Sequence, residues 1–260
     1  AGSVAIGGGS SSSTTSTTTG NNSITFNALT GGTYSNCKIS VTYRCTNTSG
    51  SISVSSLSID TTAPKLDEVT AVSTPTNDNT SLSYTFSSTE AGTITYGVCS
   101  GSPDNASAGD NIITFNALAE RTYDNCTISV TDNLSNTSDN LSVSSFTIDT
   151  TAPTLDNVTI ASNNSDNTTL AKTGNVITLS ITSAEAINTP SVSIAGQAAT
   201  VTGSGTSWSA AYTMTGSDSE GSVSLNIGFG DLAGNAGVAV TSTSNGSAVR
   251  FDKTVPTLSS

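Results

Sequence analysis

LSVSSFTIDTTAP, residues 141–153, restates ISVSSLSIDTTAP, residues 52–64, at an offset of 89 positions. Leu141 and Val143 share one phase of an alternating pattern while Phe146 and Ile148 share the other, and Ile52, Val54, Leu57 and Ile59 repeat that slip. Alternation with period two marks a half-buried strand. A change of phase near Ser144 and Ser145 predicts a β-bulge or a switch from one sheet to another.

Working outward, the same offset joins ITFNAL from Ile24 to ITFNAL from Ile113, and TYSNCKISVT from Thr33 to TYDNCTISVT from Thr122. Self-similarity at a fixed period marks a repeat architecture. A period near 90 residues is too long for a solenoid turn and suits a whole β-sandwich domain. The expected fold is therefore all-β, a linear array of tandem immunoglobulin-like β-sandwich domains. The punctuation at Asp60–Pro64, Asp149–Pro153 and Asp252–Pro256 divides it into a partial domain (1–63) lacking its first two strands, a full domain (64–153), a related domain (154–253) and the start of a further repeat or tail (254–260).

In the middle domain strands are predicted over 66–72, 81–87, 92–98, 111–117, 122–131 and 141–149, separated by Gly, Pro, Asn and Asp. In the third, Ile177, Leu179 and Ile181 alternate, as do Trp208, Ala210, Tyr212 and Met214, then Val223, Leu225, Ile227 and Phe229. Gly196-Gln197 reads as a tight hairpin turn. AGSVAIG from Ala1 aligns with AGTITYG from Ala91, the third strand of the middle domain. This alignment allows two readings: a segment of a longer array, or a first domain completed by strands from a neighbouring chain.

Composition bounds the chemistry. Of 260 residues 34% are apolar and 10% charged, and the net charge is −12. So acidic a chain cannot neutralise a row of phosphates, which excludes nucleic acid as a partner. Histidine is absent, which excludes imidazole bases, His-zinc sites and histidine switching. No apolar run approaches the length of a membrane span. No nucleophile motif is present, and Glu90 and Glu185, which follow similar strands in different domains, read as recurring edge residues and not as a glycosidase pair.

Cysteine and aspartate supply the candidate sites. Cys99 and Cys126 fall on strands that an immunoglobulin-like topology places side by side, and a bridge would close a loop of 26 intervening residues, worth roughly 3 kcal/mol. In the first domain Cys37 lacks that counterpart, while Cys45 is new, so Cys37 to Cys45 is a second candidate pair, with free thiols as the alternative. Asp60, Asp67, Asp149, Asp156 and Asp252 recur at domain edges, and Asp132 and Asp231 sit in the turns TDNLSN and GDLAGN. Carboxylates mixed with Asn and backbone carbonyls suit calcium. The alternative is that they cap turns through side-chain to backbone hydrogen bonds. No cofactor beyond Ca2+ is implied. Leu29 with Tyr34 and Leu118 with Tyr123 are similar to a tyrosine corner.

The linkers, TLDNVT from Thr154, SAEAI from Ser183, EGSVSL from Glu220, DLAGN from Asp231 and FDKTVP from Phe251 resemble the bacterial immunoglobulin-like repeats of large surface adhesins and biofilm-associated proteins. The resemblance covers most of the chain and is strongest in the third domain. It implies a non-enzymatic extender or stalk segment of an exported bacterial protein at the cell surface. Some members of that family hold calcium between domains, and Asp60, Asp149 and Asp252 match the linker aspartate. The expected partners are neighbouring repeats or like subunits, with host or surface ligands reached through other regions. The competing readings are a filament subunit joined by strand donation, an appendage spacing a catalytic domain, and a carbohydrate-binding module. The last would need Trp208 and Tyr212 exposed on a sandwich face.

Overall fold

Ser83–Ser88 shows how this polar composition makes a core. Tyr84, Phe86 and Ser88 are buried while the residues between them are not, so one face of a serine- and threonine-rich strand supplies the apolar area that folding requires. The computed structural model describes residues 2–7, 12, 14, 16–43 and 46–257. These form short strands in several sheets, with no α-helix. They gather into two compact units, each built from more than one stretch of chain.

One unit holds the described residues up to Ala71 with Ser83–Thr114 and Asn125–Val143. Gly2–Gly7 pairs antiparallel with Lys38–Tyr43, Ser3 opposite Thr42, and Gly92–Tyr96 pairs with Thr127–Thr131, Thr93 opposite Thr131. The two copies thus share register as well as sequence. A four-stranded sheet runs in the order Gly101–Ser102, Gly109–Phe115, Ser83–Ser88, Leu66–Thr70. The phase slip in the first copy is a change of sheet: Ile52–Ser53 pairs with Lys38–Tyr43, whereas Leu57–Ile59 pairs with Gly32–Tyr34. A disulfide joins Cys99 to Cys126, 27 positions apart, and both residues are buried. Cys37 is also buried, while Cys45, its candidate partner, lies outside the described residues.

The other unit holds Val72–Leu82, Phe115–Asp124 and the described residues from Ser144 onward. Arg121–Tyr123 pairs with Phe146–Ile148, and the Phe146 ring stacks on Tyr123 at 5.3 Å and Phe115 at 6.1 Å. Tyr123 donates its hydroxyl to Ala119 O at 3.0 Å, as Tyr34 does to Thr30 O at 2.9 Å in the first copy. From Leu155 onward, one sheet runs Leu155–Ser162, Val176–Ser183, Ser207–Thr213, Thr200–Ser204 and another runs Gln197–Ala198, Ser191–Ile194, Leu225–Gly228. Both supply one core: Ile177, Leu179, Ile181 and Ala210 from the first meet Ile194 and Ile227 from the second. Trp208 belongs to that core and donates its indole N–H to Gly205 O at 3.0 Å, so the exposed aromatic face needed by a carbohydrate module is not formed by Trp208.

Two expectations are corrected. The strand predicted over 122–131 is two strands, Arg121–Tyr123 and Thr127–Thr131, with different partners. Tyr123 and Cys126, both buried, stand three positions apart, so the alternation slips phase between them, and a single strand over this stretch overlooks that slip. The hairpin turn in the third repeat is Ala195-Gly196, with φ of 55° and 78° and Ile194 opposite Gln197. Two positive φ values make the primed turn whose twist matches a hairpin, one residue earlier than the glycine alone suggests.

Candidate functional site

Three short fragments build the same site twice. The first is the linker aspartate. Asp60 accepts from Thr62 N at 2.9 Å and Asp149 from Thr151 N at 3.0 Å, each through Oδ1. This is a side-chain to backbone turn cap, and it fixes the carboxylate while leaving its second oxygen available.

The second fragment is Ser-x-Glu at a strand end. Ser88 and Ser183 are buried, and each donates its hydroxyl to the carbonyl of the glutamate two residues on, at 2.6 Å to Glu90 and 2.5 Å to Glu185. Thr89 N reaches Lys65 O and Ala184 N reaches Thr154 O, both at 3.0 Å. Those bonds hold the chain just past each linker beside the glutamate.

The third fragment is the turn Asp-x-x-x-Asn. Asp132 accepts from Leu134 N and Asn136 N through Oδ1 and from Asn136 Nδ2 through Oδ2, at 2.7, 2.9 and 2.8 Å. Asp231 accepts from Gly234 N and Asn235 N through Oδ1 and from Asn235 Nδ2 through Oδ2, at 2.7, 2.8 and 2.8 Å. Each Asn amide also reaches back to the linker: Asn136 Nδ2 donates to Asp60 O at 3.1 Å and Asn235 Nδ2 to Asp149 O at 2.8 Å. Ser135 and Gly234 take the same place in the turn, with φ of 71° and 101°. Ser135→Gly is expected to change stability by less than about 1 kcal/mol, because relief of the left-handed conformation offsets glycine's freedom in the unfolded chain. Gly234→Ser is expected to cost more than about 1 kcal/mol, and urea midpoints of the two variants measure the asymmetry.

The fragments converge so that one carboxylate oxygen from each of Asp60, Glu90 and Asp132, and one from each of Asp149, Glu185 and Asp231, lie within 4.8 Å of one another. In the second cluster Asp231 is buried. Burial, and then the charges of Asp149, Asp231 and Glu120, push the Glu185 carboxyl above its ordinary value. The Asn136 amide, with backbone N–H donors, holds Asp132 below its own. Two oxygens on one ion at about 2.3–2.6 Å, the calcium range, are at most about 5.2 Å apart, so these carboxylates are spaced as ligands of a single calcium are. A divalent cation would also remove the repulsion that lifts Glu185.

Of the aspartates expected from sequence, Asp60 and Asp132 meet in one cluster and Asp149 and Asp231 in the other. Asp67 and Asp156 are exposed on strands and join neither. Asp252 caps its linker by accepting from Thr254 N at 2.9 Å and joins no cluster among the described residues. Glu90 and Glu185, which read in sequence as edge residues, are the third ligand candidate of each cluster. The signal that distinguishes them is Ser two residues before each, at matching strand ends.

Beside the second linker, Glu120 accepts from Thr150 N at 3.1 Å, Thr150 Oγ1 at 2.7 Å and Thr151 Oγ1 at 3.0 Å. Glu220 repeats the grip on the third, accepting from Lys253 N at 2.9 Å and Thr254 Oγ1 at 2.7 Å. The threonine hydroxyls hold Glu120 below its ordinary value of 4.5. A depressed carboxyl contributes stability above its unfolded value and loses it as pH falls through the folded one. The Glu120 carboxyl is expected to titrate below 4.5 by NMR, and Glu120→Gln is expected to flatten the acid side of the stability profile.

No protein-family model matches the chain, and no curated protein matches it. Among solved structures it matches the D00-D0 domain of intimin at 16% identity, over 73% of this chain and all of that one, with a TM-score of 0.30. A score that low carries no argument about this chain. No helix among the described residues is long and apolar enough to cross a membrane.

Proposed function

We propose that this chain is a non-enzymatic spacer segment of an exported bacterial surface protein, made of immunoglobulin-like sandwich domains in series and stiffened by calcium at the repeat boundaries. One observation carries this reading: each carboxylate cluster takes its aspartate from the end of one repeat and its Glu and Asp from the next. A cation bound there ties the linker to the following repeat and restricts the one place where a tandem chain can bend. Support for export comes from the disulfide, which persists in oxidising compartments, and from the resemblance of the linker and turn motifs to adhesin repeats. Adhesion itself would belong to regions beyond this segment, with like repeats as its structural neighbours.

The test is mechanical. Single chains of the complete protein are stretched in calcium and in chelator. Discrete unfolding events at higher force in calcium are expected. The event of the middle repeat should fall short by about 90 Å, the length hidden by the disulfide at roughly 3.3–3.6 Å per residue. A chain that extends without resolved unfolding in both buffers would end the spacer reading.

A further inference from the structure

The strand Leu155–Ser162 lies at the end of its sheet, with Val176–Ser183 as its one strand neighbour there. Three of its N–H groups nevertheless find acceptors outside the sheet. Ser162 N reaches Thr168 O at 2.8 Å. Val158 N and Ile160 N reach side chains instead, Ser244 Oγ at 2.9 Å and Ser247 Oγ at 3.0 Å. Ser244 N returns a bond to Val158 O at 2.9 Å, and Thr243 Oγ1 closes the segment on itself by donating to Ser247 O at 2.7 Å. Residues 243–247 therefore form a strap that covers this edge through two serine hydroxyls, as native sheets cover edges that would otherwise pair with another chain.

Asn245 and Gly246 stand between those two serines. Of 23 asparagines in the chain, Asn245 alone precedes glycine. It is exposed, and its Oδ1 accepts from Ser247 N at 3.0 Å. That Asx turn folds the side-chain amide over the main chain that follows it, which carries Cγ towards Gly246 N. The same bond draws electron density from Cγ and meets the negative charge that grows on Oδ1 when a nucleophile adds to the amide. Gly246 N donates to no acceptor among the described residues. With φ of 74° and open space where a Cβ would lie, Gly246 shields its nitrogen with neither a hydrogen bond nor a side chain.

We propose that Asn245 is a site of spontaneous deamidation whose rearranged product releases the strap. Gly246 N gives its proton to water and bonds to Asn245 Cγ. The Cγ–Nδ2 bond breaks, and ammonia leaves with a proton returned by water, which closes a cyclic succinimide. A second water opens the ring, with nothing oxidised or reduced. Opening at the new N–Cγ bond gives aspartate. Opening at the original peptide bond gives isoaspartate, whose main chain runs through Cβ and Cγ and is one carbon longer. Ser244 and Ser247 are spaced to meet alternate positions of a paired strand, so an extra main-chain atom between them breaks the match. Val158 N and Ile160 N then lose their protein acceptors, and the edge opens as the molecule ages.

The experiment ages the complete chain at mildly alkaline pH, where Gly246 N loses its proton more readily. Ion exchange separates converted chain by its added negative charge, and electron-transfer fragmentation of its peptides tells isoaspartate from aspartate. Conversion at Asn245 ahead of every other asparagine is expected, with isoaspartate among the products. In the converted chain, hydrogen exchange at Val158 and Ile160 should quicken at least about tenfold, while Ser162, whose acceptor lies outside the strap, should not change. Asn245→Ser keeps a side-chain oxygen for the turn and cannot form the ring, so it should hold its protection through the same ageing. Asn245 intact while other asparagines convert, aspartate without isoaspartate, unchanged exchange at Val158 and Ile160 after conversion, or an equal loss of protection in Asn245→Ser would overturn the proposal.

Discussion

Asp231→Ala is expected to destabilise the chain by about 3 kcal/mol or more, from three N–H donors that lose a charged acceptor at roughly 1–3 kcal/mol each, and to remove one of two calcium equivalents. Asp231 is 1% exposed and closes the turn through Gly234 N, Asn235 N and Asn235 Nδ2. Losing it also frees the Asn235 amide that grips Asp149 O, so the effect reaches the linker. Asp132→Ala should cost less, because Asp132 is only half-buried and water can replace it. Urea unfolding in chelator isolates the turn from the ion, and a loss below about 1 kcal/mol for Asp231→Ala would refute its structural part.

Replacing both Cys99 and Cys126 by alanine is expected to cost about 3 kcal/mol. The bridge spans 27 positions, and a loop of that size removes roughly 3 kcal/mol of unfolded-state entropy. Alanine also leaves space where two buried sulfurs packed. The loss should fall on the middle repeat and spare the third, whose core contains no cysteine. Hydrogen exchange separates the repeats: faster global opening at Ile128 and Val130 with unchanged rates at Ile177 and Leu179 is the predicted pattern. An unchanged urea midpoint would mean that the bridge does not constrain the unfolded chain.

The strands were legible because the Ser, Thr and apolar residues alternate with so little interruption. The clearest case is Ile177, Leu179 and Ile181, all buried on one face of Val176–Ser183. The change of sheet was legible as a phase slip at Leu57. The break after Tyr123 carries the same kind of signal, a three-residue step to buried Cys126, and the single strand expected over 122–131 overlooked it. Four of the clustered aspartates could be named from their turns. Asp67 and Asp156 shared the pattern but lie on exposed strand faces, because a period-two strand turns alternate side chains away from the linker. The place of the glutamates was not legible, for a long-range reason. Glu90 is 30 positions from Asp60 and 42 from Asp132, and only the fold shows that the end of Ser83–Ser88 meets the linker.

Calorimetric titration of the complete, chelator-treated chain with calcium chloride tests most directly that each cluster is one cation site at a repeat boundary. Two equivalents are predicted for the native chain, one for Glu185→Gln and none when Glu90→Gln is added, with the fold intact by circular dichroism. No saturable heat at millimolar calcium, or a stoichiometry that these substitutions leave unchanged, would contradict it.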